Sequence, residues 1–159
     1  SACLQSCADL YSMKTVNKSV LIWYSPREMY DLVTDVRQYS EFLPWCDEAR
    51  IIEQHSDGMT AQVFISFGGV RQTFTTRNIH TTDSRVNMQL LDGPFSNLDG
   101  QWSFLPLGDG SQRACKVELA IRYRLNSSTL GKLAAPAIDK IASDLVGAFV
   151  KRAEQVYGE

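Results

Sequence analysis

The side chains that do covalent or metal chemistry are few in this chain and poorly spaced for it. Histidine occurs twice, at His55 and His80, and cysteine four times, at Cys3, Cys7, Cys46 and Cys115. There is no Cys-x-x-Cys pair, and neither histidine stands at ligand spacing from a cysteine, so zinc sites and a disulfide framework find no support. No Gly-x-Ser-x-Gly elbow and no His-Glu-x-x-His helix occurs, and Gly108-Asp109-Gly110 lacks the third glycine of a dinucleotide loop. Cys46 has no base to activate it and reads as a small buried hydrophobe. No carboxylate pair or histidine dyad emerges. No catalytic residue is assigned, and no metal or cofactor is required.

Non-covalent chemistry remains. Phe64, Phe67, Phe74, Met88, Phe95, Trp102 and Phe104 form an aromatic and thioether set that either fills a core or lines a cavity for an apolar guest. Phe42 and Trp45 flank Pro44, where they serve as an entrance lip or a core plug. Lys116, Arg122 and Arg124 share one strand face, with Arg113 and Lys132 nearby. They offer contact to anionic headgroups or ribosomal RNA, or else a solvated outer face.

The elements that position these residues follow from pattern. Asn17 to Tyr24 reads as a strand. Ser25-Pro26 with Glu28 starts a helix carrying Met29, Leu32 and Val33, and a second short helix from about Val36 stops at Leu43, before Pro44. The middle of the chain alternates as strands from Ala49, with hairpin signals at Asp57-Gly58, Gly68-Gly69 and Asp92-Gly93-Pro94. Ala61, Val63, Ile65 and Phe67 share one face, whereas Val70 to Ile79 leaves open which parity faces inward. Gly100 marks a bulge or a close approach. Val117, Leu119, Ile121, Tyr123 and Leu125 form the cleanest half-buried strand. Ser127-Ser128 then caps a long helix ending at Gly158. Its stripe includes Ile138, Ile141, Leu145, Phe149, Ala153 and Val156, and Pro136 predicts a kink near its start.

The chain has 159 residues, 44% apolar and 10% aromatic, which suits one domain and excludes disorder. Ser1 to Ser12 read as an N-terminal extension and residues 13–159 as a single domain. The formal charge is −2, from 16 basic and 18 acidic residues, which disfavours DNA as a partner. No run is long and apolar enough for a membrane span, and the cysteine usage fits a reducing cytoplasm.

Glu41-Phe42-Leu43-Pro44-Trp45-Cys46, then Asp92-Gly93-Pro94-Phe95 and Leu98-x-Gly100-x-Trp102-x-Phe104, preceded by Leu32-Val33-x-Asp35-Val36 and Tyr39, resemble a known family. It is the coenzyme Q-binding (Coq10-type) branch of the START-like, helix-grip superfamily, which also holds the bacterial ribosome association toxin A proteins and many polyketide cyclase/dehydrase proteins. The resemblance spans Met13 to Gly158. It implies an α+β helix-grip fold: a curved antiparallel sheet of six or seven strands wrapped around the long C-terminal helix, with two short helices after the first strand. It also implies an apolar tunnel that binds ubiquinone or a similar isoprenoid lipid without catalysis, in support of respiratory electron transport. The expected ligand-lining set is then Phe42, Trp45, Phe64, Phe67, Phe74, Met88, Phe95, Trp102, Phe104, Ile138, Ile141 and Leu145. Lys116, Arg122, Arg124 and Lys132 would touch a membrane surface, at the inner face of the plasma membrane, or RNA. The alternative implied is a protein that binds the large ribosomal subunit and blocks subunit association. A third is a polyketide cyclase-like enzyme.

Overall fold

The computed structural model describes residues 13–126 and 129–158, with the backbone alone for 129–134. Residues 1–12, the Ser127-Ser128 cap and the side chain of Lys132 lie outside the described residues.

β1 (Lys14–Ile22) leads into α1 (Pro26–Thr34). The start of α1 is fixed by a reciprocal cap. Glu28 N donates to Ser25 Oγ at 3.1 Å while Ser25 N donates to Glu28 Oε1 at 2.9 Å, and Pro26 supplies the helical φ. The second short helical piece is a 3₁₀ turn, Val36–Gln38, followed by α2 (Tyr39–Phe42). Leu43 leaves the helical region, as a residue before proline must.

Six strands follow: β2 (Cys46–His55), β3 (Gly58–Phe67), β4 (Val70–Thr81), β5 (Arg85–Asp92), β6 (Phe95–Pro106) and β7 (Cys115–Leu125). They form an antiparallel meander, and β1 returns to pair with β7, so the spatial order is β1-β7-β6-β5-β4-β3-β2. Gly68 and Gly69 both have positive φ, 57° and 83°, which is the type I′ turn that a right-twisted hairpin needs. Register shifts in the β2/β3, β4/β5 and β6/β7 pairs are bulges, and bulges bend strands and raise twist. The sheet therefore curls.

α3 (Thr129–Tyr157) lies in the concave face, where Ala135, Ile138, Ala142, Val146, Phe149 and Ala153 are buried. Its last turn is held by Tyr157 rather than Val156. The Tyr157 hydroxyl donates to Glu28 O at 2.9 Å and its ring packs on Tyr24, whereas Val156 remains exposed. Gly158 stops the helix at φ 73°.

The candidate cavity between sheet and helix

The register of β3 against β4 sets which side chains meet α3. Met59, Ala61, Val63 and Ile65 are buried and stand opposite Asn78, Thr76, Phe74 and Gln72. The even-numbered residues of β4 therefore face inward, which resolves the parity that composition leaves open. Asn78 is inside while Ile79 is 44% exposed on the outer face.

A cavity of about 140 Å³ remains between the sheet and α3. Small residues on both walls leave it open: Ala61 on β3 and Ala142 on α3. Gly100 marks a close approach rather than a bulge, because a Cβ there would come within 2.9 Å of the Met88 methyl. Trp45, Phe74, Met88, Phe95, Trp102, Ile138, Ile141 and Leu145, all expected as lining residues, border this space. Tyr39, Trp45, Phe74, Met88, Leu98 and Leu145 line it half-buried, whereas its polar lining residues Thr76 and Asn78 are each 6% exposed.

Four expected lining residues stand elsewhere. Phe64 points to the outer face, where the Arg50 guanidinium lies 5.0 Å from its ring centroid, because the odd parity of β3 takes the inside. Phe67 sits at the end of β3, packed on the core but off the cavity. Phe104 is 1% exposed and stacks on Trp102 at 6.2 Å, with Tyr30 edge-on, as solid core. Phe42 lies one layer back, edge-on to Phe149 at 5.1 Å and under the Arg152 guanidinium.

The titratable side chains in the cavity wall are Tyr39 and Tyr123. Burial raises the pKa of both, and each hydroxyl already donates within the protein, Tyr39 to Val33 O and Tyr123 to Asp139 Oδ1. Asp139 in turn accepts from Lys14 Nζ at 2.6 Å, a chain of contacts that ties β1 and β7 to α3. Cys46 is buried and its thiol is pushed up to about 11 by desolvation, so it is no nucleophile at neutral pH. His80 is also held neutral, by burial first and the nearby Arg77 charge second. Among the described residues no group of three histidine, cysteine or acidic side chains could hold a metal ion.

On the convex face the expected basic set divides. Lys116 pairs with Glu118 at 3.0 Å, and Arg113 makes a two-pronged contact with Glu28. Arg122 and Arg124 are exposed, opposite Asp99 and Asn97 of β6, and form no salt bridge among the described residues. No helix among the described residues is long and apolar enough to cross a membrane.

A curled antiparallel sheet that grips a long helix around an apolar cavity is a helix-grip fold. The family model for polyketide cyclase / dehydrase and lipid transport proteins matches residues 22–150, and the chain belongs to that family. The ribosome association toxin RatA of Vibrio cholerae serotype O1 is 41% identical over 147 residues, covering 92% of this chain and all of that protein. The mitochondrial coenzyme Q-binding protein COQ10 homolog B of Xenopus laevis is 26% identical, over 98% of this chain and 65% of that one. A START superfamily protein of Mycobacterium smegmatis superposes with a TM-score of 0.74 at 18% identity, over 89% of this chain and 98% of that one. The Zhui aromatase/cyclase of a Streptomyces species gives 0.74 at 15%, over 91% and 95%, so these two report the fold alone.

Proposed function

We propose that this protein acts on ribosomes, binding the large subunit and hindering its joining with the small one. The observation that carries this reading is the 41% identity with a ribosome association toxin over the whole of that protein, against 26% with the coenzyme Q-binding relative. Two exposed guanidinium groups support it. Arg122 and Arg124 stand exposed on the convex strand face with no salt bridge among the described residues, where phosphate oxygens can reach them. The cytoplasm is then its working compartment. The test is sucrose-gradient sedimentation of ribosomes with added protein. Wild type should shift the profile toward free subunits and the double variant Arg122→Glu, Arg124→Glu should not; an unchanged profile with wild type refutes the reading.

The cavity favours a second, compatible reading, the binding of a hydrophobic ligand such as an isoprenoid quinone. Such a ligand leaves a bilayer at little net cost, because its CH₂ groups exchange one apolar environment for another. The reading is one of binding rather than catalysis, because the two wall tyrosines have their protons committed to protein acceptors. Hexane extraction of the denatured protein followed by mass spectrometry should yield a prenylated lipid. No lipid, and no uptake from quinone-loaded vesicles, refutes it.

A further inference from the structure

The cavity has one polar feature that packing does not explain. Thr76 and Asn78 are each 6% exposed, surrounded by apolar walls, and both line the space. Thr76 Oγ1 donates to Asn78 Oδ1 at 2.7 Å. That contact fixes the amide and leaves Asn78 Nδ2, with two protons to give, without a hydrogen bond to any described residue. Buried amide groups are normally paired, and a core would place an apolar side chain here. The side chains across from the pair add nothing polar: Ala61 stands opposite Thr76, and Met59 and Met88 flank Asn78. Gly100, opposite Met88, borders the same space, and the Met88 methyl occupies the room that a side chain at Gly100 would need.

We propose that Asn78, held in orientation by Thr76, is the polar anchor of the cavity, and that its ligand is a ring-sized apolar molecule carrying a hydrogen-bond acceptor such as a carbonyl. The volume sets the size. About 140 Å³ is close to the roughly 150 Å³ apolar cavity known to take benzene, so one ring fits and any longer tail must lie outside this space. The polar end of the ligand faces β4 and accepts from Asn78 Nδ2. This inference rests on the ligand-binding reading of the cavity and adds the chemistry that the ligand must have.

The test uses two near-isosteric probes, acetophenone, which carries a carbonyl, and cumene, which does not, titrated by NMR into the full chain. Wild type should bind both. Asn78→Leu should weaken acetophenone about tenfold and leave cumene as tight or tighter. The carbonyl stretch of acetophenone bound to wild type should fall below its value in hexane, a readout that needs no variant to fold. Thr76→Val, which frees the amide to turn, should lower acetophenone affinity alone. Equal changes for both probes, or an unshifted stretch, overturn the anchor and leave the cavity reading standing. Failure of wild type to bind either probe overturns both.

Discussion

Ala142 faces the cavity from α3 and is 7% exposed, so a leucine there asks whether the space exists. At about 24 cal/mol per Å³ of unfilled core, a void of about 140 Å³ forgoes roughly 3 kcal/mol of packing. The three added carbons recover about 0.8 kcal/mol each by transfer from water, less up to about 1 kcal/mol of leucine rotamer entropy. Ala142→Leu is therefore expected to stabilise the protein by about 1.5 kcal/mol, which at this size raises Tm by roughly 3–6 °C. Ala153→Leu is the control. Ala153 lies in the same helix, is 0% exposed and does not border the cavity, so the same carbons must overpack and cost about 1–3 kcal/mol. Urea and thermal unfolding followed by circular dichroism measure both variants. A loss in Ala142→Leu as large as that in Ala153→Leu would refute the void.

Three further outcomes rest on charge and burial. The Arg113 guanidinium holds the Glu28 carboxyl down to about 2, so its contribution is complete above the ordinary carboxylate range and is lost as pH falls from about 4.5 to about 2. Glu28→Gln should flatten that acid limb by about 1 kcal/mol, given the partial exposure of the pair, and an unchanged limb contradicts the assignment. Burial lowers the His80 pKa below its ordinary value and its Nε2 has no hydrogen-bond partner among the described residues, so the unfolded chain takes up a proton that the native state resists and stability declines as pH drops below about 6.5. His80→Phe should make the slope between pH 7 and 5 shallower, as read by denaturant midpoints, and an equal slope sinks this. Cys46 and Cys115 are buried with thiols raised to about 11, so at pH 7.5 iodoacetamide should label neither until the chain unfolds. Peptide mass spectrometry showing either labelled in the native protein would contradict their burial.

The order of elements was legible because its signals are local. The Ser25-Pro26-x-Glu28 cap, the paired glycines at 68 and 69 and the alternation of Val117 to Leu125 each report a short-range preference, and the structure places helix, turn and strand there. The helical stripe likewise located Ile138, Ile141 and Leu145 on the inner face. The side chains at the cavity were less legible. β4 carries threonines on both parities, with Phe74 on the even one and Ile79 on the odd one, so its own sequence leaves open which face turns inward. Pairing with the strongly alternating β3 decides it, placing Asn78 inside and Ile79 outside, a tertiary constraint that no window of β4 contains. Phe64 was misplaced for a related reason, since an aromatic reads as core until the cation that covers it on the outer face, Arg50, is seen one strand away. The void itself is set by the small side chains of Ala61 and Ala142 on two separate elements, which only the assembled fold brings together.

Co-sedimentation with isolated ribosomal subunits tests the proposed function most directly. Purified protein is layered with either subunit over a sucrose cushion at physiological salt, and pellets are quantified by immunoblot. It should pellet with the large subunit and not with the small one, and replacing Arg122 and Arg124 with glutamate should return it to the supernatant. Wild-type protein that stays in the supernatant with both subunits would contradict the ribosomal assignment and leave the cavity as its remaining candidate for function.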